Sequence, residues 1–80
     1  MITIKNCKQY LSQNYFTNIQ FTHQKEDNLY FTAYDTEEEQ NAQLEFELEE
    51  GTLYINVKYE SDEDWLILER LSLEDWRLSQ

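Results

Sequence analysis

Carboxylates are the residues of this chain whose number and spacing could do chemistry. Glu45, Glu47 and Glu49 alternate with apolar residues, and mostly acidic runs lie at 37–39 and 60–64. Paired acids hydrolyse glycosides when a cleft tunes their pKa values apart, and clustered acids hold Mg²⁺ in nucleases. Here the alternation predicts that the acids face solvent, and no His, Ser, Arg or glycine-rich companions accompany them. We therefore expect a protein that is not an enzyme and that uses no cofactor or metal.

The single histidine and the single cysteine do not change this expectation. His23 falls near the end of a predicted strand, where an exposed or hydrogen-bonded side chain is expected rather than a base or a ligand. Cys7 lies on the apolar side of a predicted helix, which indicates a buried, inert thiol. One cysteine also excludes an internal disulfide.

A calcium-binding loop is excluded by its missing positions. Asp35, Glu37 and Glu39 match the first, third and fifth positions of such a loop. Gln40 then stands where a glycine is needed, and Phe46 stands where a bidentate glutamate is needed. The segment 36–42 is predicted to be a solvated acidic loop.

The element that must position the acids is a β-hairpin over residues 43–59. Apolar and polar residues alternate on both sides of Glu50 and Gly51, and Gly51 is the only glycine in the chain. Two period-2 runs joined by a tight turn are typical of antiparallel strands with one buried and one solvated face. The row of Glu45, Glu47 and Glu49 is predicted to lie on the solvated face.

The segments before this hairpin predict a helix and a second hairpin. Thr3 is a candidate N-cap for an amphipathic helix over residues 4–14, whose apolar stripe is Ile4, Cys7, Leu11 and Tyr15. Strands are predicted at 16–23 and 29–34, joined by a polar connection. Their apolar faces are expected to hold Ile19, Phe21 and His23 in the first strand, and Leu29, Phe31 and Ala33 in the second.

The C-terminal segment is ambiguous between helix and strand. Ser61 and Asp64 resemble a capping box, but the apolar residues from Trp65 to Leu71 would surround a helix on nearly every side. A fifth strand at 65–71, lying between two neighbours, is therefore predicted. Ser72 should then cap a short terminal helix, with Trp76 and Leu73 packing inward and Leu78 as a further candidate.

These elements predict an α+β fold that forms one domain over residues 1–80. An antiparallel, meander-like sheet of about five strands carries the N-terminal helix on its apolar face and ends in a short C-terminal helix. Tyr30, Tyr34 and Tyr54 should lie opposite the core face, either as cross-strand packing or as anchors for a partner. Exposed sheet edges are compatible with a homodimer.

Net charge is the feature that bears on function. Residues 1–25 hold three lysines and no acid, whereas residues 26–80 hold all 17 acidic residues against one lysine and two arginines, and the whole chain carries −11. Such a field repels nucleic acid and anionic membranes and attracts basic proteins. Without a secretory leader or an 18-residue apolar run, a cytoplasmic location is expected, in a bacterial host if a phage encodes the chain.

The expected function is therefore inhibition by occlusion of a basic, nucleic-acid-binding protein surface. In composition the chain resembles phage- and plasmid-borne inhibitors of host defence, including anti-CRISPR and anti-restriction proteins, and also bacterial immunity proteins that neutralise basic toxin nucleases. The alternatives are such an immunity protein and an adaptor that binds through its tyrosine face. The expected contact residues are Glu37, Glu38, Glu39, Glu45, Glu47, Glu49, Glu50, Glu60, Asp62, Glu63 and Asp64, with Tyr30, Tyr34 and Tyr54.

Overall fold

A computed structural model describes residues 2–79 and confirms the predicted order of elements. The two helices are α1, Ile4–Gln13, and α2, Leu73–Leu78. Between them the chain forms five strands, which are β1 (Phe16–Lys25), β2 (Asn28–Asp35), β3 (Gln40–Glu49), β4 (Thr52–Tyr59) and β5 (Leu66–Ser72). Each strand pairs antiparallel with the next, so the sheet is a meander in the order β1-β2-β3-β4-β5.

Both helices begin at the side chain that the sequence predicts as a cap. Thr3 Oγ1 accepts a hydrogen bond from the Asn6 N–H at 3.1 Å, and Ser72 Oγ accepts one from the Asp75 N–H at 3.0 Å. Asn14 is the C-cap of α1, and its N–H donates to the Leu11 carbonyl. These bonds satisfy backbone groups that a helix end leaves without intrahelical partners.

The turn between β3 and β4 has the geometry that the glycine predicts. Glu50 and Gly51 have φ values of +48° and +79°, and they are the only residues between the paired Glu49 and Thr52. Two consecutive residues with positive φ are typical of the type I′ turn, whose twist matches that of the strands. At the other end of β3, the predicted loop at 36–42 is too long. β3 begins at Gln40, so only residues 36–39 connect it to β2.

The core lies between one face of the sheet and the two helices. Cys7 and Leu11 from α1 and Trp76 from α2 are buried against the apolar residues of β2, β3 and β4. The Phe46 ring is central, with its centroid 6.0 Å from Trp76 and 5.5 Å from Phe31. We call the opposite side of the sheet the outer face.

Three predicted core positions are wrong because they lie at, or just beyond, helix ends that do not pack against the sheet. Ile4 and Tyr15, at the two ends of the predicted α1 stripe, are exposed. Leu78 in the last turn of α2 is 75% exposed. The helix residues that pack into the core are Cys7, Tyr10 and Leu11 of α1 and, as predicted, Leu73 and Trp76 of α2.

A β-bulge at Thr22 overturns the predicted placement of His23. Phe21 pairs with Phe31 and His23 pairs with Tyr30, so Thr22 is an extra residue on β1. Such a bulge reverses the alternation. His23 therefore lies on the outer face, where its ring stacks on Tyr30 with centroids 4.4 Å apart.

The fifth strand exists, but it is an edge strand rather than the predicted strand between two neighbours. Among residues 2–79 it pairs with β4 alone. Trp65, Leu66, Ile67 and Leu68 are consequently exposed, and Leu68 is an extra residue opposite the step from Ile55 to Asn56. This apolar run therefore lies largely outside the core.

Candidate functional site

Two acidic segments that are far apart in sequence lie side by side at one end of the sheet. The Glu60 N–H donates to the Asn41 carbonyl at 3.1 Å, and Asn41 Nδ2 donates back to Glu60 Oε2 at 3.1 Å. The Ser61 N–H donates to Gln40 Oε1 at 3.3 Å. These bonds extend the β3–β4 ladder beyond the strands. We define the acidic end as the carboxylates of these two segments, which are Glu37, Glu38, Glu39, Glu60, Asp62, Glu63 and Asp64.

Asp35 holds the first of these segments in place. It is 5% exposed, and its Oδ1 accepts hydrogen bonds from the N–H groups of Glu37 at 2.9 Å and Glu38 at 3.2 Å. Its Oδ2 accepts one from the Tyr59 hydroxyl at 2.6 Å, which ties the turn to β4. An aspartate that binds amides two and three residues ahead stabilises a turn locally. The turn that carries Glu37 and Glu38 is therefore held in place.

The Tyr59 phenol responds to the charge of the acidic end. Burial raises its pKa above the ordinary value, and the hydrogen bond to Asp35 and the nearby charges of Asp35, Glu38 and Asp62 raise it further. Negative charge disfavours the phenolate because like charges repel. Carboxylates from both acidic segments thus act on one side chain.

A cavity of about 320 Å³ adjoins the acidic end on the helix side of the sheet. Its walls include the side chains of Tyr10, Tyr15 and Tyr59, with Glu37 and Glu69 among the carboxylates. Tyr10 donates a hydrogen bond from its hydroxyl to Glu69. Burial, and then this bond, raise the pKa of Tyr10. The cavity is therefore lined by phenols and carboxylates.

The glutamates of β3 have a different environment from those of the acidic end. Glu45 accepts hydrogen bonds from the Tyr30 hydroxyl at 2.5 Å and from Asn56 Nδ2 at 2.9 Å. Asn56 Nδ2 also lies 3.3 Å from Glu47 Oε1. Both glutamates are half-buried on the outer face, whereas Glu49 is exposed at the end of the strand. Neutral donors of the sheet thus bind the carboxylates of Glu45 and Glu47.

The predicted acidic residues form two groups rather than one continuous patch. Glu49 and Glu50 lie at the turn between β3 and β4, and the acidic end lies at the other end of β3. A ten-residue strand separates them, which corresponds to roughly 30 Å. Glu45 and Glu47 lie between the two groups, on a face that also carries Lys58 and Arg70 opposite Gln43 and Tyr54.

The protein's own cations leave the acidic end unpaired within residues 2–79. The salt bridge in that part of the chain joins the exposed side chains of Arg77 and Glu74 of α2 at 3.2 Å. Lys58 is the only lysine or arginine between residues 26 and 69, and it has no carboxylate within salt-bridge distance. No salt bridge among residues 2–79 therefore offsets the negative potential of the seven carboxylates.

The three predicted tyrosines lie on the outer face, as expected, but neighbouring strands partly cover them there. Tyr30, Tyr34 and Tyr54 are half-buried and pair with Glu45, Asn41 and Glu47, respectively. The pKa of Tyr30 is raised, chiefly by its hydrogen bond to Glu45. Their rings offer less free surface than the sequence pattern suggests.

Sequence reasoning missed two residues that organise the carboxylates. Asp35 was considered only as a calcium ligand, although an aspartate directly before a polar turn is a typical amide acceptor. Asn56 is buried on the outer face and binds two glutamates, and an asparagine in the middle of a strand is the only signal for it.

Neither a search for other kinds of site nor the comparisons with known proteins assign a function to the chain. Across residues 2–79, no group of three or more His, Cys, Asp or Glu side chains is arranged to hold a metal ion. The two helices described are too short and too polar to cross a bilayer. No family model matches the chain, and no significantly similar curated protein or solved structure was found.

Proposed function

We propose that this protein is a non-enzymatic inhibitor that covers a basic, nucleic-acid-binding surface of another protein with its acidic end. The observation that carries the proposal is the placement of seven carboxylates on two adjacent, hydrogen-bonded segments, none of them within salt-bridge distance of a lysine or arginine among residues 2–79. Asp35 fixes the backbone of the first segment at Glu37 and Glu38, so less backbone entropy is lost there on binding.

The concentration of these charges supports the same proposal. Three consecutive carboxylates, Glu37, Glu38 and Glu39, and four of the five residues 60–64 lie in two short connections at one end of the sheet. DNA also presents closely spaced negative charges, about one per 3.4 Å of each strand. A groove lined with Lys and Arg for phosphates would therefore meet closely spaced carboxylates. Such binding should be fast and should weaken with added salt.

The most concrete version is an anti-CRISPR or anti-restriction inhibitor, and the alternative within the same chemistry is an immunity protein for a basic toxin nuclease. Both versions require an acidic surface that contacts a basic protein, and the acidic end would serve as that surface in either. The half-buried state of Tyr30, Tyr34 and Tyr54 gives less support to an adaptor that binds through its tyrosine face.

A capture experiment with matched charge variants tests the proposal. The immobilised protein is incubated with bacterial lysate at low and high salt, with and without competing DNA or RNA. We expect nucleic-acid-binding proteins to be retained at low salt and released by the competitor. The triple variant Glu37→Gln, Glu38→Gln and Glu39→Gln should lose them.

The control removes the same charge from the opposite end of the sheet. It carries Glu26→Gln, Asp27→Asn and Glu49→Gln, which are also exposed positions. Retention by this control and loss by the first variant would support the acidic end as the contact. Equal loss by both variants, or captured proteins that nucleic acid does not displace, would contradict the proposal. Glu45 and Glu47 are poorer targets because their replacement also breaks bonds within the sheet.

A further inference from the structure

The β5 edge is an apolar sheet edge that the described part of the chain leaves open. Leu66–Ser72 pairs with β4 on one side only. Alternate residues of an edge strand point backbone N–H and C=O groups away from the sheet, where another strand can bind them. Ile67 is 65% exposed, and Trp65, Leu66 and Leu68 are exposed beside it. Four adjacent large apolar side chains thus accompany the open backbone.

β1, the strand at the other edge of the sheet, has more of the features that prevent pairing with a further strand than β5 has. β1 is interrupted at two places, near Asn18 and at Thr22, and it ends in Lys25. Bulges and lysines are the usual means by which proteins prevent pairing at an edge. β5 has one irregularity, at Leu68, and its first three residues are apolar. The two edges therefore differ in how readily they accept a strand.

We propose that β5 binds an extended segment of the basic partner as a sixth strand of the sheet. This inference rests on the proposed function for the charge of the partner. Backbone hydrogen bonds to β5 would supply affinity, and side chains at alternate positions would supply specificity. The bound segment has apolar or β-branched residues in its middle and Lys or Arg at its end.

Charge decides between this segment and a second copy of the chain. Each copy carries −11, so association of two copies brings like charges together. Antiparallel pairing of two β5 strands would also place Glu63 and Asp64 of one copy near Glu74 and Asp75 of the other. A lysine-flanked segment instead meets Glu63 and Asp64 as opposite charges, one residue before the start of β5.

The exposed side chains define what the segment should present. Ile67 pairs with Asn56 on the outer face, and Leu66 pairs with Val57 on the core side. An added strand would place its own alternate residues about 4.5–5.5 Å from these, measured between Cβ atoms. Apolar residues on either face of the segment would therefore find apolar neighbours on β5.

Synthetic peptides provide the test. The first probe is acetyl-KKTVTVTVKK-amide, the second replaces its four lysines with glutamates, and the third has a proline in place of the central threonine. Binding to the full chain is followed by the emission of Trp65 and by the backbone amide signals of residues 66–72. Trp76 is 1% exposed, so a change in emission reports Trp65.

We expect saturable binding of the lysine peptide with changes confined to β5 and its neighbours. The glutamate and proline peptides should bind at least about tenfold more weakly, because they lack the opposite charge or a backbone donor. Ile67→Lys should weaken binding of the lysine peptide about tenfold, since a charged edge opposes pairing. Leu78→Lys replaces an apolar residue outside β5 that is exposed to a similar extent, and this variant should bind the lysine peptide normally.

Apart from the lysate capture considered below, three results would overturn the inference. They are absence of saturable binding, peptide-induced changes at β1 or at the acidic end without changes in β5, and a sedimenting dimer that Ile67→Lys dissociates. Circular dichroism of each variant verifies the fold. If lysate proteins are captured equally by the Ile67→Lys variant, strand addition fails while the inhibitor proposal stands. If the peptide binds β5 but no nucleic-acid-binding protein is captured, the inhibitor proposal fails instead.

Discussion

The substitution Asp35→Ala should destabilise the fold and release the acidic end. Asp35 accepts three hydrogen bonds, from the N–H groups of Glu37 and Glu38 and from the Tyr59 hydroxyl. A hydrogen bond to a charged group contributes about 1.5–3 kcal/mol. Water can replace the carboxylate at the exposed turn, but less readily at the half-buried phenol. We therefore expect the free energy of unfolding to fall by about 3 kcal/mol, less than the sum of three bonds.

A double-mutant cycle separates the phenol from the turn. Tyr59→Phe removes one bond and should lower the free energy of unfolding by about 1.5 kcal/mol. The double variant Asp35→Ala and Tyr59→Phe should be more stable than the sum of the two changes predicts, because both remove the same bond. Urea unfolding, followed by circular dichroism, measures all four proteins.

Amide hydrogen exchange measures the order of the turn directly. The amides of Glu37 and Glu38 should exchange faster in Asp35→Ala than in the parent protein. Asn28→Ala is the matched control, because Asn28 Oδ1 accepts the Leu48 N–H at 3.2 Å near the opposite end of the sheet. A loss below about 1 kcal/mol in Asp35→Ala, or unchanged exchange of both amides, would refute the role given to Asp35.

Three further measurements test the core and its titrating groups. Burial raises the pKa of Tyr10 and of Tyr59 above the ordinary 10, so the folded state keeps protons that the unfolded chain loses. The free energy of unfolding should therefore decline as the pH rises above about 10, and a flat profile would contradict this. Burial raises the pKa of the Cys7 thiol to about 12, so iodoacetamide should label the native protein far more slowly than the urea-unfolded chain, and similar rates would be inconsistent with the core described. Phe46→Ala removes a buried ring that packs on Trp76 and should reduce the free energy of unfolding by about 3–5 kcal/mol in urea titrations, whereas a change under about 1 kcal/mol would mean that the cavity collapses.

The order of elements could be predicted because local signals and the fold agree. Period-2 alternation identified the central hairpin, and the one glycine marked its turn at φ +79°. Thr3 and Ser72 were recognisable as caps because each side chain satisfies an amide three residues ahead. None of these features depends on contacts that are distant in the sequence.

What could not be predicted depends on how strands pair. The extra residue at Thr22 turns His23 onto the outer face, and nothing in the apolar pattern encodes that shift. The run from Trp65 to Leu68 indicates burial by composition, yet a meander places the last strand at an edge. The acidic segments likewise meet only because β2–β3 and β4–β5 connect at the same end of the sheet.

The division of charge between strand and turns follows from desolvation. Glu45 and Glu47 are half-buried, and the sheet supplies Asn56 and Tyr30 as donors that offset the cost of removing their oxygens from water. A strand face can hold few such carboxylates, because each one needs its own donors and neighbouring charges repel. Connections at the sheet end remain solvated, so they accommodate many carboxylates at little desolvation cost. A dense and ordered anionic surface is therefore easier to build at an end of a small sheet, with one buried carboxylate such as Asp35 holding the backbone, than along a strand.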